Sequence, residues 1–525
     1  MAFLTALMAE QRPADKALTD ELGHCNWAEL NARVNRLIRQ LRATGLRPQE
    51  RIALFLGNGR ATYELMLAAH HAGLIYVPIN GHFSASELAH VLVDSQAAAL
   101  FTDSRLAATA VQALELAPEA ATRLRVCVGL GGSEPTPRAC INYAAWVDSQ
   151  TDASEPTEQA VGGPMFYTSG TTGRPKGVLK LNPAGPPAMA AQRTAAQGPM
   201  KMLQLPAQGI TLLAGPYYHS AQWSFSFLPL LAGNAVVMTQ RFDAAQTLAL
   251  IDAHGITNLH LVPTQFIRLL RLSEPVKSAF SGRSLVRVWH GAAPCPAQVK
   301  RDMIDWWGPV THEYYGSTEG AVVTGISSSE WLMRPGSVGC CIGSTEVVIV
   351  RDDGSVANAG ETGTIYLGDR RQLQLRYHND PDKTAQAHRS DGLFTTGDVG
   401  HVDAEGYLFL TDRKIDMIIS GGVNIYPAEI EAALATHSAV QDAAVIGVPH
   451  AEMGEEVKAI VQLVPGRVGD DTLVQALQQH CRTMLAGYKV PRSVDFCDTF
   501  PRTETGKLQK RLLRDAYWVD AGRSI

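Results

Sequence analysis

The chain has 525 residues, 46% hydrophobic and 18% charged, with 46 Lys+Arg against 51 Asp+Glu for a net charge of −5. That composition excludes disordered, collagen-like and coiled-coil classes, and the charge balance offers no basic footprint for nucleic acid. Length alone predicts about three to four structural units, able to bury roughly 75% of the unfolded surface without staples.

The N-terminal region alternates helix and strand signals. Asn26 and Glu29 form a capping-box spacing ahead of the helical stripe Leu30, Val34, Leu37, Ile38 and Leu41, with Gly45 as its terminator. Arg51–Leu56 reads as a buried strand. Ser84 and Glu87 repeat the capping box before Leu88, Val91 and Leu92, and 98–102 is the next strand. Strands alternating with helices predict parallel βαβ units. The pattern continues through the strand-type runs 211–214, 235–238, 258–262 and 286–289, with a helix over Ala244–His254. From about Gly336 short strands divided by Gly and Asp (338–343, 347–350, 363–368) predict a β-rich subdomain. Past Arg413 a small α+β unit follows: Pro427 at a helix N1 position, strands at 445–448 and 457–464, and a helix over 471–485.

No run is long enough to span a bilayer, which takes roughly 18 apolar residues; the best candidate, Phe227 to Met238, is interrupted by Pro229, Gly233 and Asn234. The start of the chain has no basic region ahead of an apolar run, so no secretory signal is expected. The eight cysteines form no C-x-x-C pair. They predict reduced packing residues, no zinc site and a cytoplasmic location.

Five segments carry chemistry. Tyr167-Thr-Ser-Gly-Thr-Thr-Gly-Arg-Pro-Lys-Gly177 gathers hydroxyls, glycines and two cations, the ingredients of a phosphate-binding loop. It is not a Walker A loop, because Pro175 precedes Lys176 and Gly177 follows it. Glu313-Tyr-Tyr-Gly-Ser-Thr-Glu-Gly320 offers an aromatic face for a base and a Thr-Glu pair for phosphate and a hard cation. Thr396-Gly-Asp398 and Thr411-Asp-Arg413 offer a carboxylate and a cation for ribose. Ser420-Gly-Gly-Val-Asn-Ile-Tyr-Pro427 and Pro501-Arg-Thr-Glu-Thr-Gly-Lys507 complete the set.

In order and spacing these segments resemble the acyl-adenylate-forming superfamily of acyl-CoA synthetases, luciferases and peptide-synthetase adenylation domains, from about residue 25 to residue 515. The texture of Tyr377–Thr384 and Asp412–Gly422 is most similar to bacterial medium- to long-chain acyl-CoA ligases. The resemblance implies an α/β fold: a large N-terminal domain of two βαβ-type subdomains plus a distorted β-barrel (1–412), a hinge (413–416) and a small mobile α+β cap (417–525). It implies a carboxylic acid–CoA ligase that forms acyl-AMP with release of pyrophosphate, then a thioester with coenzyme A, using ATP and Mg²⁺.

By the same resemblance Thr168, Ser169, Gly170, Thr171, Thr172, Gly173 and Lys176 hold the β- and γ-phosphates. Glu319 holds Mg²⁺, and Thr318 touches the α-phosphate beside Gly316. Tyr315 stacks on adenine in a slot lined by Gly291, Ala292 and Ala293, and Asp398 and Arg413 hold the ribose. Lys507 bridges carboxylate and α-phosphate during adenylation, and Gly421-Gly422 guide pantetheine. The acid pocket falls on Pro216–Trp223, with His219 (a gate by family position), Ser220, Trp223 and Val262. No carboxylate lies between Gly215 and Asn234, which argues against an amino-acid substrate and for an apolar acid. Aryl or alicyclic acids, a carrier-protein thiol or another acceptor, a decayed nucleotide-binding protein, and a homodimer stay open. Two departures stand out: Ile415 at the hinge, and Lys180-Leu-Asn182 after the phosphate loop.

Overall fold

The structure is a computed structural model describing residues 4–130, 140–157, 160–169, 175–179, 197–318, 320–369, 376–413, 416–421, 423–450, 452–502 and 508–518. Among the described residues, two large sheets and one small sheet form. The first is centred on Ala235–Met238, Ile210–Leu213, Asn258–Leu261, Arg287–His290 and Thr311–Ser317, all parallel in that order. The second is centred on Gly163–Ser169, Ile75–Pro78, Arg51–Phe55, Ala99–Asp103 and Val126–Leu130, also parallel. These are the two predicted βαβ layers. Their strands are nearly all apolar because both faces are covered.

Local signals explain most element ends. Asn26 and Ser84 cap the helices Trp27–Ala43 and Ala85–Asp94 through complete capping boxes with Glu29 and Glu87. Gly45, at φ +81°, takes the left-handed turn just past the first helix, where a Cβ is disfavoured. Predicted strands match observed ones to within a residue or two except in one hairpin, where the predicted 445–448 and 457–464 belong to the longer Val440–His450 and Gly454–Leu463, paired antiparallel. A hydrophobic run marks only the buried stretch of such a hairpin, whose half-exposed ends carry no signal.

The β-rich region is antiparallel. Ala321–Ile326 and Ser337–Cys341 continue the first sheet, which then runs through Leu408–Arg413, Asp398–Val402, Gly363–Gly368 and Glu346–Val350. Trp27, Tyr63, Tyr76, Tyr217, Phe227 and Val236 share one core beneath both large sheets. The small C-terminal domain has its own core around Ile418, Ile430, Leu434, Val445, Val457 and Leu477.

One expectation is corrected. Cys127, on the Val126–Leu130 strand, is joined to Cys140 by a disulfide, so these two are not reduced packing residues. The neighbouring strands Val126–Leu130 and Ile141–Asn142 bring the pair within reach across a chain separation of 13. No described helix is long and apolar enough to cross a membrane.

Candidate active site

The phosphate-loop segment straddles a hairpin. Gly163–Ser169 and Pro175–Leu179 pair antiparallel, with Thr168 opposite Lys176 and Ser169 opposite Pro175. Only the backbone of Thr168 and Ser169 is described. Gly170, Thr171, Thr172 and Gly173 lie outside the described residues. The hairpin is braced from two sides. Tyr167 Oη donates to Asp94 Oδ2 at 2.6 Å, and Asn379 Nδ2 donates to Asp94 Oδ1 at 3.0 Å. Lys176 Nζ is bonded to Asp380 Oδ2 at 2.6 Å. The predicted phosphate lysine therefore already has an anionic partner before nucleotide arrives. Asp94 and Asp380 were missed in the sequence; Asp380 lay inside the Tyr377–Thr384 segment, but nothing in its spacing links it to a lysine 204 positions away.

The segment predicted for the nucleotide lies on the strand Thr311–Ser317. Tyr315 is buried and its Oη donates to Asp398 Oδ2 at 2.7 Å, while Thr396 Oγ1 donates to the same oxygen at 2.9 Å. Stacking and ribose candidates separated by 83 positions thus meet in one hydrogen bond. The pairing register slips between Tyr315 and Gly316, as at a bulge that re-aims side chains beside a site. Asp398 pairs through its backbone with Arg413; the Arg413 side chain lies outside the described residues, as does Glu319. Gly291 ends the Arg287–His290 strand. A Cβ there would sit 2.7 Å from the Tyr314 carbonyl oxygen, so only glycine lets the two chains approach. Ala292 follows at φ +66°, the left-handed region, and Ala293 comes next along the same turn.

The segment predicted for the acid meets the one predicted for the nucleotide at a hydroxyl pair. Ser220 begins the short helix Ser220–Ser224, capped in the chain by His219, and its Oγ lies 2.9 Å from Thr318 Oγ1. Behind this contact, Gln222 Nε2 donates to His260 Nδ1 at 3.0 Å, and His260 Nε2 faces Tyr314 Oη at 3.1 Å. Burial pushes the His260 pKa down to about 3 and that of His219 to about 4, so both are neutral at pH 7. Trp223 stacks on Phe227 at 5.4 Å, meets Phe166 edge-on at 5.7 Å, and donates from Nε1 to Tyr76 Oη at 3.1 Å. It is a clamped wall. Val262 is buried directly before Pro263, which opens the helix Pro263–Leu270. The Gln222–His260–Tyr314 chain and Tyr76 were not predicted, since single polar residues in apolar strands carry no periodic signal.

In the C-terminal domain Gly421 turns the hairpin Ile418–Ser420/Val423–Ile425 at φ +57°, and its N–H donates to Met453 O at 2.8 Å. Gly422, Lys507 and the hinge residues Lys414 and Ile415 lie outside the described residues, as does Lys180-Leu-Asn182. Arg502 and Leu508 pair across the segment that contains Lys507.

A mixed α/β chain in which Tyr315 is bonded to Asp398 and Thr318 meets Ser220 at the end of one strand has the architecture of an adenylate-forming enzyme. Residues 6–377 match the family model of the AMP-binding enzyme and residues 429–507 that of the AMP-binding enzyme C-terminal domain; the chain belongs to the AMP-binding enzyme family and is an AMP-forming acid–CoA ligase by class. It is 35% identical over 498 residues to a feruloyl-CoA synthase of an Amycolatopsis species, covering 93% of each chain. It is 29% identical to a fatty acid–[acyl-carrier-protein] ligase of Streptomyces coeruleorubidus, covering 99% of this chain and 97% of that one. Among solved structures, ATP-bound MatB from Rhodopseudomonas palustris superposes with a TM-score of 0.84 at 28% identity, covering 99% of both chains.

Proposed function

We propose that this chain activates a compact apolar-bodied acid, aryl or alicyclic, as its acyl-adenylate and passes it to coenzyme A. The observation that carries the reading is the Ser220–Thr318 contact, which puts the start of the acid loop against the residue assigned to the α-phosphate. An acid carboxylate entering beside Ser220 meets the phosphorus it must attack, and holding two reactants in that geometry removes much of the barrier. The clamped Trp223 supports a compact substrate over the medium- to long-chain acid that the sequence texture suggested, because its contacts with Phe227 and Phe166 and its bond to Tyr76 hold it from moving aside for a long tail. The 35% identity to a feruloyl-CoA synthase agrees with an aryl acid.

In this reading the 168–173 loop and Lys176 receive the β- and γ-phosphates, and Lys176 exchanges Asp380 for phosphate oxygens. Tyr315, Gly316 and Gly291–Ala293 receive adenine. Asp398 holds the ribose with Arg413. Glu319 is assigned to Mg²⁺, whose charge would offset that of the phosphates. Lys507 stabilises the charge that shifts between carboxylate and α-phosphate, and Gly421 and Gly422 line the path of pantetheine. The domain limits 1–412, 413–416 and 417–525 belong to the same proposal. Pyrophosphate release with benzoic, cinnamic, alicyclic and alkanoic acids, with and without CoA, tests it. An aryl or alicyclic acid should give a CoA thioester. Turnover of long alkanoic acids alone, or transfer only to a carrier-protein thiol, would contradict it.

A further inference from the structure

Two polar atoms beside the Ser220–Thr318 contact have no hydrogen-bond partner. Among the described residues, Tyr218 Oη and His219 Nε2 are both shut away from solvent and both unpaired. Leaving a buried polar group unpaired costs ~1–3 kcal/mol, so native proteins seldom do it without a reason. Here it happens on consecutive residues whose ring centroids lie 4.7 Å apart. The neighbouring residues show what ordinary packing provides: Tyr217 Oη donates to Leu54 O at 2.7 Å, Gln222 is bonded to His260, and Ser226 Oγ is bonded to both Tyr63 and Gln222. The buried polar side chains Tyr217, Gln222 and Ser226 are thus tied into the core, whereas Tyr218 Oη and His219 Nε2 are buried without a partner directly before Ser220.

Their chemistry is complementary. A phenol donates one proton. Burial keeps His219 neutral, and with its proton on Nδ1 the imidazole presents Nε2 as an acceptor. A donor and an acceptor on rings this close match a hydroxyl group, which accepts one bond and donates another across a span of ~5.6 Å. A charged ammonium or carboxylate is disfavoured there, because burial penalises the charged form as it does for the His219 imidazolium. We propose that Tyr218, with His219, determines specificity by receiving a hydroxyl substituent of the acid, so that the substrate is a hydroxylated carboxylic acid. This rests on the acid–CoA ligase reading above and narrows it. Both atoms are closed off in the free protein, so the two rings turn to meet the hydroxyl as the acid enters.

Sites that hydrogen-bond a substrate hydroxyl reject the analogue without it, because the buried partner is then left unpaired. The test uses matched pairs: 4-hydroxybenzoate with benzoate, salicylate with benzoate, 4-hydroxycinnamate with cinnamate, and 8-hydroxyoctanoate with octanoate. Pyrophosphate release is read as kcat/KM for wild type and Tyr218→Phe. For at least one pair the wild type should favour the hydroxylated acid about 10-fold or more. Tyr218→Phe should erase that ratio by lowering the rate with the hydroxylated acid. The variant should melt no lower than wild type, since it loses an unpaired group. Wild-type ratios near one for every pair, or a variant that slows both members of a pair equally, would overturn the proposal while leaving the ligase reading intact. Absence of pyrophosphate release with every acid would overturn both.

Discussion

Gly291→Ala tests how tightly the proposed adenine slot is built. An added Cβ would lie 2.6 Å from Tyr314 Cε1 and 2.7 Å from the Tyr314 carbonyl oxygen. The ring can swing away only by giving up its contact with His260 Nε2. The carbonyl cannot retreat, because Thr311, His312 and Glu313 are locked in register with Val288, Trp289 and His290. Overpacking of this kind costs ~1–3 kcal/mol, and ~1 kcal/mol lowers a melting point by ~2–4 °C in domains of 150–250 residues. The next residue along the strand is Tyr315, whose bond to the Asp398 carboxylate is of the charge-assisted type, worth ~1.5–3 kcal/mol. If the displaced Tyr315 costs ~1.4 kcal/mol of nucleotide binding, KM for ATP rises about 10-fold. Thermal unfolding followed by circular dichroism and pyrophosphate release titrated with ATP at saturating acid measure the two effects. The variant should melt a few degrees lower, and KM for ATP should rise while KM for the acid holds. A variant matching wild type in both melting and KM for ATP would refute the reasoning.

His260 should make the protein acid-sensitive. Its pKa falls from the usual 6.5 to about 3 on folding, so the unfolded chain takes up a proton that the folded one refuses. Stability is retained above pH 6.5 and lost as pH falls toward 3; at pH 5 the loss is ~2 kcal/mol. In denaturant titrations the stability gap between wild type and His260→Gln should shrink by about that amount between pH 7 and pH 5; a constant gap would show that His260 protonates freely in the fold. Gly421→Leu places a side chain at φ +57°, 2.7 Å from the Met453 terminal methyl. Acid-dependent formation of acyl-AMP should persist in that variant while transfer to CoA falls, read by discharge of supplied acyl-AMP; unimpaired discharge would count against the pantetheine assignment.

The alternation of helix and strand was legible because parallel strands covered on both faces are apolar throughout and helices declare their caps, as Asn26–Glu29 and Ser84–Glu87 do. The candidate nucleotide and acid residues stood out as motifs, and the structure joins Tyr315 to Asp398 and Ser220 to Thr318. What joins distant segments was not legible. The Lys176–Asp380 pair and the Tyr167–Asp94 bond bridge long separations, and a single Asp carries no periodicity to announce its partner. The Cys127–Cys140 disulfide was misread because cysteine spacing says nothing of strand neighbours. Trp223 was legible as an aromatic near the acid, but its role as a clamped wall depends on Tyr76, Phe166 and Phe227, which come from three other elements.

Separating the two half-reactions in Lys507→Ala tests the central claim most directly. The variant is assayed once for pyrophosphate release from acid and ATP, and once for CoA thioester formation from supplied acyl-AMP. The account predicts that the first activity collapses and the second survives at close to the wild-type rate, because Lys507 serves only the charge that develops at the α-phosphate. Equal loss of both activities, or intact pyrophosphate release, would contradict it.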